Sequence, residues 1–159
     1  MPEHRHEHLT GEMPGSHTYQ MALLVVFLVV WVLDSFLLRL TTFLVDGIPI
    51  WLPIIPAFVV FVAAVYFMNA SHKDLFDTKE TGLATGGVFS RVRHPMYLGT
   101  HLFYLALAIG TLSLASIVLW IVIFAFYNVL ANYEEKKLEE RFGEEFMGYK
   151  KKVRKWLPL

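Results

Sequence analysis

A succession of apolar runs, at 21–44, 48–68, 97–109 and 112–130, constrains this chain more than any other feature. About 20 apolar residues are needed to cross the roughly 30 Å hydrocarbon core of a bilayer. The first two runs meet that length and the fourth comes close. The third reaches it only if it starts near Pro95 and continues to about Ala115. Backbone groups in hydrocarbon must be bonded within their own segment, so such runs read as helices. The hydrophobic fraction of 55% is also too high for an ordinary soluble domain of 159 residues. The expected fold is all-α, an integral-membrane helical bundle with about four transmembrane helices. These are placed at about 20–45, 48–69, 95–112 and 114–133, with a single domain over 19–159.

Formal net charge is zero, which removes the electrostatic case for nucleic acid. Its distribution is more telling. Arg91, Arg93, Lys136, Lys137, Arg141, Lys150, Lys151, Lys152, Arg154 and Lys155 fall on one side of the expected spans, whereas the links 45–47 and 110–116 contain no Lys or Arg. The positive-inside rule then places both termini in the cytoplasm. With no cysteine there is no disulfide framework, thiolate nucleophile or zinc–thiolate site. The first apolar run follows a polar, acid-containing tail and is too long for a signal-peptide core, so a retained helix is expected. The tail itself, 1–18, is expected to be disordered. His4, His6 and His8 alternate along it, but a metal site wants ligands fixed by a fold, and none is expected here.

Polar residues inside the spans are costly and invite a functional or pairing explanation. Asp34 and Arg39 stand five apart, a poor spacing for a direct pair on one helix. Arg39 is expected to reach toward the far surface, and Asp34 is a weaker candidate for contact with a substrate. Pro49, Pro53 and Pro56 introduce the second helix, with a kink possible at Pro56. The stretch 70–94 reads as a cytoplasmic loop broken by Gly82, Gly86 and Gly87, either a cover for a site or a plain connector. Pro95 suits the first turn of the third helix, leaving Arg93 and His94 at its mouth, where free N–H groups favour an anion.

Tyr97, His101 and Tyr104 recur at i, i+4 and i+7, one polar-aromatic stripe in an apolar span. Asn128, Asn132 and Glu135 repeat the interval on the fourth helix. Lipid penalises both stripes if they face it, so both should turn inward and, across a short link, toward each other. Gly99 would leave room beside Tyr97 for a ligand or a close helix. Spacing alone fits equally well a set of interhelical hydrogen bonds. From about 134 to 159 the chain becomes strongly charged and reads as an amphipathic cytoplasmic helix interrupted near Gly143.

Two segments carry a family resemblance: Arg93-His94-Pro95-x-Tyr97-x-Gly99, then Glu134-Glu135-x-x-Leu138 with Phe142-Gly143 and Tyr149. Together they resemble the isoprenylcysteine carboxyl methyltransferase and phospholipid methyltransferase family of integral-membrane enzymes. The resemblance covers 87–158, nearly half the chain. It implies a methyltransferase using S-adenosylmethionine, held between the last helical hairpin and the C-terminal segment, with a lipid-like acceptor arriving from the bilayer. His94, Tyr97, Gly99, Glu134 and Glu135 match the family's cofactor-site motif. Phe146 stands where many members carry a tyrosine.

Chemistry fills in the rest of the expected site. Glu134 and Glu135 are suited to the cofactor's ammonium or ribose, and His94 to its carboxylate. Tyr97 or Tyr104 could face the sulfonium through a cation–π contact. His101, Asn132 and Tyr149 join the cofactor-binding candidates, and Arg93 and Glu135 are the catalytic ones. Glu135 is favoured over Glu134 because it shares the face of Asn128 and Asn132. A carboxylate acceptor needs no general base, whereas an amine or thiol would call on Glu135, His94 or His101. The acceptor is expected to be lipophilic or prenylated, with a carboxylate favoured, at the cytoplasmic face of a microbial plasma membrane. Two other classes share part of the pattern. Membrane sterol reductases carry a similar Arg-His-Pro-x-Tyr-x-Gly stretch and use NADPH, but Arg91 and Arg93 are a thin cluster for its 2′-phosphate. A non-enzymatic membrane helper would explain the helices but not why Arg-His-Pro and Glu-Glu share one membrane surface.

Overall fold

A computed structural model describes residues 13–77 and 82–157. Residues 1–12, which carry His4, His6 and His8, and Pro158 lie outside the described residues, whereas 16–18, expected in the tail, belong to the first helix. Among the described residues the chain is helical, with one isolated parallel bridge between Val92 and Arg154 and no β-strand. Helix α1 spans Ser16–Val32 and continues as a π-helical segment, Leu33–Leu38. Helix α2 spans Trp51–Asp77, α3 Pro95–Thr111, α4 Leu114–Phe142 and α5 Glu144–Lys152. Short 3-10 turns occur at Phe43–Gly47 and Gly87–Ser90.

Three helical stretches, Ser16–Leu38, Trp51–Phe76 and Leu114–Phe142, are long and apolar enough to cross a membrane. At 17 residues α3 is shorter, about 25 Å at 1.5 Å per residue. It lies between its neighbours, with Tyr97, Gly99, His101, Tyr104, Ala106 and Ala108 buried. Large apolar side chains cover the outside instead, among them Val25, Val29, Phe58, Val59, Val118, Ile121, Val122 and Val129. That inside-out distribution suits a lipid solvent.

Cross-helix contacts fix the directions. Phe27 meets Tyr104 at 4.5 Å, and the Trp31 indole donates to Leu107 O at 3.1 Å, so α1 and α3 run the same way. Phe61 faces Phe103, and Gly99 abuts Ala64 and Met68, so α2 runs against α3. His101 meets Trp120 and Tyr97 meets Tyr127, so α4 also runs against α3. Ser16 and the C-terminal segment therefore lie at one end of an up-down-up-down bundle. The expected pairing of the last two spanning helices is present, but α3 packs most extensively on α2.

Local chemistry explains the joints. Pro95 opens α3 at its first position, where a missing N–H costs nothing. Leu112, with φ +49°, ends it, and Ser113 starts α4 by accepting from Ser116 N at 3.1 Å. Asp34 is absorbed here rather than at a substrate site. Its carboxylate accepts from Thr41 N at 2.9 Å, Thr41 Oγ1 at 2.6 Å and Ser113 Oγ at 2.5 Å, tying the end of the first span to the start of α4. Arg39 pairs with Asp46, both exposed, and not with Asp34. The first span is shorter than its apolar run suggests because the chain turns at Arg39, φ +50°. Conversely, α2 continues to Asp77, so the first part of the expected loop is helix. Asp74 near its end accepts from Val88 N at 2.7 Å. A Cβ on Gly87, φ +55°, would fall 1.9 Å from that carboxylate, so glycine is required where the chain turns toward Arg93.

Candidate active site

The two segments that resemble a cofactor motif meet at the end of the bundle that also holds Ser16. Arg93 and His94 arrive on the chain entering α3, Glu134 and Glu135 on the last turns of α4. The backbone holds this junction from the other side: Arg93 N donates to Arg154 O at 2.9 Å beside the Val92–Arg154 bridge. The C-terminal segment is thereby drawn across the mouth of α3.

Glu135 is the hub. Its Oε1 accepts from Arg93 Nε at 3.0 Å, lies 3.0 Å from Arg93 Nη2 and takes His94 Nε2 at 3.1 Å. Its other oxygen is 3.5 Å from Lys150 Nζ. Arg93 is wholly engaged, since Nη1 donates to the carbonyls of Lys150 and Val153. It thus positions Glu135 and the C-terminal segment. Glu134 is as deeply buried as Glu135, each 5% exposed, so neither belongs to a solvated charge run. Tyr97 Oη donates to Glu134 Oε1, and His94 Nδ1 lies 3.6 Å from Glu134 Oε2. One imidazole thus bridges two carboxylates, and its ring stacks on Tyr97 at 5.7 Å and 3°.

Burial holds His94 below the ordinary histidine value of 6.5; its bond to Glu135 opposes that, and Lys155 and Arg93 add to it. The sign of the pH effect follows. The folded value lies below the unfolded one, so the unfolded chain takes up a proton more readily below 6.5. Stability is held above that value and is lost as the pH falls beneath it. Thermal unfolding in detergent should begin earlier at about pH 5.5 than at about pH 7.5, and His94→Gln should reduce the difference.

An aromatic wall continues inward from the carboxylates. Tyr127 sits edge-on to Tyr97 at 5.1 Å and to His101 at 4.8 Å. Trp156, from the C-terminal segment, lies 5.7 Å from His94 and 6.0 Å from His101. Its indole donates to Asn128 Oδ1 at 3.2 Å, and Lys155 Nζ reaches Asn128 at 3.2 Å and Asn132 at 2.6 Å. The Asn128/Asn132 stripe therefore grips the C-terminal segment.

The structure gathers Arg93, His94, Tyr97, Glu134 and Glu135 into one cluster, with His101 one turn deeper. The remaining candidates are placed otherwise. Tyr104 lies farther in, against Phe27 and bonded to Tyr127. Gly99 faces α2 with no room to spare, so the close helix and not a ligand takes its space. Asn132 is engaged by Lys155, and Tyr149 donates to Phe89 O at 2.6 Å, pinning α5 to the 3-10 turn before Arg93. Burial raises the Tyr149 phenol, keeping it a donor. Phe146 is buried without needing a hydroxyl. Two members of the wall, Tyr127 and Trp156, escape the sequence pattern. Tyr127 stands seven before Glu134 with Ala131 between, a stripe one residue from the asparagine stripe. Trp156 belongs to no periodic element. Among the described residues no group of His, Asp and Glu could hold a metal ion.

The family described as phospholipid methyltransferase matches residues 54–145, from α2 through the start of α5. The mouse protein-S-isoprenylcysteine O-methyltransferase is 30% identical over 102 residues, 62% of this chain and 35% of that one. The Schizosaccharomyces pombe enzyme of the same name is 32% identical over 86 residues, again 35% of its length. The chain thus spans about a third of these curated relatives. An uncharacterized Haemophilus influenzae protein matches along its full length, 39% identical over 66 residues. The matched region holds every residue of the carboxylate–histidine cluster and more than half of the chain, and the protein belongs to the phospholipid methyltransferase family.

Proposed function

We propose that this protein transfers a methyl group from S-adenosylmethionine to a lipid-like or isoprenyl-bearing carboxylate at the cytoplasmic face of the membrane. One observation carries the reading: two buried carboxylates, a bridging histidine and an aromatic wall close one end of an otherwise lipid-facing bundle. A soluble cofactor and a lipophilic acceptor can meet only at such a boundary. The isoprenylcysteine O-methyltransferases it resembles support the acceptor class, and the basic residues at this end support the orientation.

The residues fit the cofactor's chemistry. When bound, it supplies an activated methyl on a sulfonium, beside an ammonium and ribose hydroxyls. Glu134 and Glu135 are acceptors for ammonium or hydroxyl hydrogens. The faces of Tyr97, Tyr127 and Trp156 suit a neighbouring cation, each contact worth about 0.5–2 kcal/mol. Arg93 acts through Glu135, holding its carboxylate in place. Holding both reactants in line supplies much of the acceleration for a displacement of this kind. The acceptor's chain would remain in the bilayer, and the half-buried Trp120, Phe124 and Trp156 would border its head group.

Calorimetric titration of the detergent-purified protein with adenosylmethionine, adenosylhomocysteine and NADPH tests this. Both adenosyl ligands should saturate. Glu134→Gln should weaken them about 10- to 100-fold, the worth of one hydrogen bond to a charged group. NADPH binding instead would assign the site to a reductase, and no binding by folded protein would overturn the enzyme reading.

A further inference from the structure

His101 is unlike every other polar group near the site. The residue is 3% exposed, yet among the described residues neither Nδ1 nor Nε2 has a hydrogen-bond partner. A buried polar group without a partner is costly, so it is retained where something completes it. The ring is enclosed by Tyr127 at 4.8 Å, Phe124 at 5.0 Å, Trp156 at 6.0 Å and Trp120 at 6.5 Å. Its backbone carbonyl already takes the Trp120 indole, at 3.1 Å, which leaves the imidazole as the polar function of this box. Trp120, Phe124 and Trp156 are only partly buried, so the outer faces of this aromatic wall are exposed.

The neighbouring charges are committed. Arg93 is held by Glu135 and two carbonyls, and Lys155 by Asn128 and Asn132. The titratable groups facing this region are Tyr97, Tyr104 and Tyr127, with His94 and Lys155 beyond Trp156. Among the described residues no fixed cation thus stands in the box to balance a carboxylate. An acid entering from hydrocarbon arrives protonated, because burial disfavours the charged form. Such a head group carries an O–H donor, and a neutral imidazole offers one acceptor nitrogen to receive it.

We infer that His101 is the proton acceptor for the methyl acceptor, receiving the O–H of a lipophilic carboxylic acid that enters protonated from the bilayer. This rests on the methyl-transfer reading. As the new O–CH3 bond forms, the S–CH3 bond of the sulfonium donor breaks and its electron pair stays on sulfur. The acid's proton passes to the free ring nitrogen of His101, which releases it to water when the neutral ester leaves. His101 is in this account a catalytic residue for the acceptor and not a ligand of the methyl donor.

The test uses full-length protein with 15N-histidine in detergent and no methyl donor, titrated with N-acetyl-S-farnesylcysteine and, separately, its methyl ester. The acid should shift the unprotonated ring nitrogen of His101, assigned by its loss in His101→Gln, and the ester should not. His101→Phe should bind the acid at least about tenfold more weakly, one hydrogen bond's worth, with ester and adenosylmethionine affinities unchanged within about twofold. An unmoved ring nitrogen, or equal losses for acid and ester, would overturn the assignment. If wild-type protein shows the His101 shift but fails to bind adenosylmethionine, the donor reading falls while the acid site stands. If it binds adenosylmethionine and the acid leaves His101 unmoved, only this inference falls.

Discussion

Arg93→Ala is expected to remove about 3–5 kcal/mol of folding stability, the cost of breaking a buried ion pair from one side. The pair is well enclosed, with side-chain exposures of 11% for Arg93 and 6% for Glu135. Without the guanidinium, Glu135 keeps His94 and the more distant Lys150 but loses its two nearest nitrogens, and the carbonyls of Lys150 and Val153 lose a shared donor. The damage therefore spreads to the C-terminal segment that carries Lys155 and Trp156. Arg93→Lys should rescue little, because one ammonium cannot reproduce a planar fork serving a carboxylate and two carbonyls at once. Thermal unfolding in detergent reads the stability, and adenosylmethionine titration at a temperature where the variant stays folded reads the site. A loss below about 1 kcal/mol would mean that solvent screens the pair as it does a surface one.

The parts of this arrangement that a single chain can announce are those fixed by local chemistry. Apolar run length gives the spanning helices, Pro95 marks the start of α3, and Gly143, φ +51°, marks the break before α5. The inward turn of Tyr97 and His101 follows from lipid avoidance alone. What stayed hidden depends on contacts between distant residues. Asp34 reads as a functional carboxylate because its partner Ser113 lies 79 residues away. Glu134 reads as the weaker of the two carboxylates because the hydroxyl that donates to it, Tyr97, is on another helix. Both carboxylates turn inward because α4 continues unbroken to Phe142, so the hydrophobic run ends one turn before the buried face does. Trp156 sits outside any helix, and long-range contacts, among them the Val92–Arg154 bridge and its indole bond to Asn128, bring it over His94 and His101.

Two glycines of this chain should respond to alanine with opposite signs. Glycine in a helix interior normally costs roughly 0.5–1 kcal/mol relative to alanine. At Gly148, in α5, a Cβ would meet nothing within 4 Å, and Gly148→Ala should recover about that amount. At Gly99 a Cβ would lie 2.7 Å from Met68 Cγ and 3.0 Å from both Ala64 O and Met68 N. The side chain of Met68 can swing away, but the two backbone atoms cannot move without shifting α2. Over-packing of this kind costs about 1–3 kcal/mol, so the clash outweighs the propensity gain: Gly99→Ala should be net destabilising and Gly99→Val near the top of that range. The same thermal unfolding series measures all three variants. Because Gly99 lies two residues from both Tyr97 and His101, separating α2 from α3 also displaces the stripe that lines the site. Gly99→Val should therefore lose adenosylmethionine binding along with stability, whereas Gly148→Ala should keep it. A stabilised Gly99→Ala would show that α2 and α3 are not held at this distance in the membrane, and with that the account of why glycine stands inside the motif would fail.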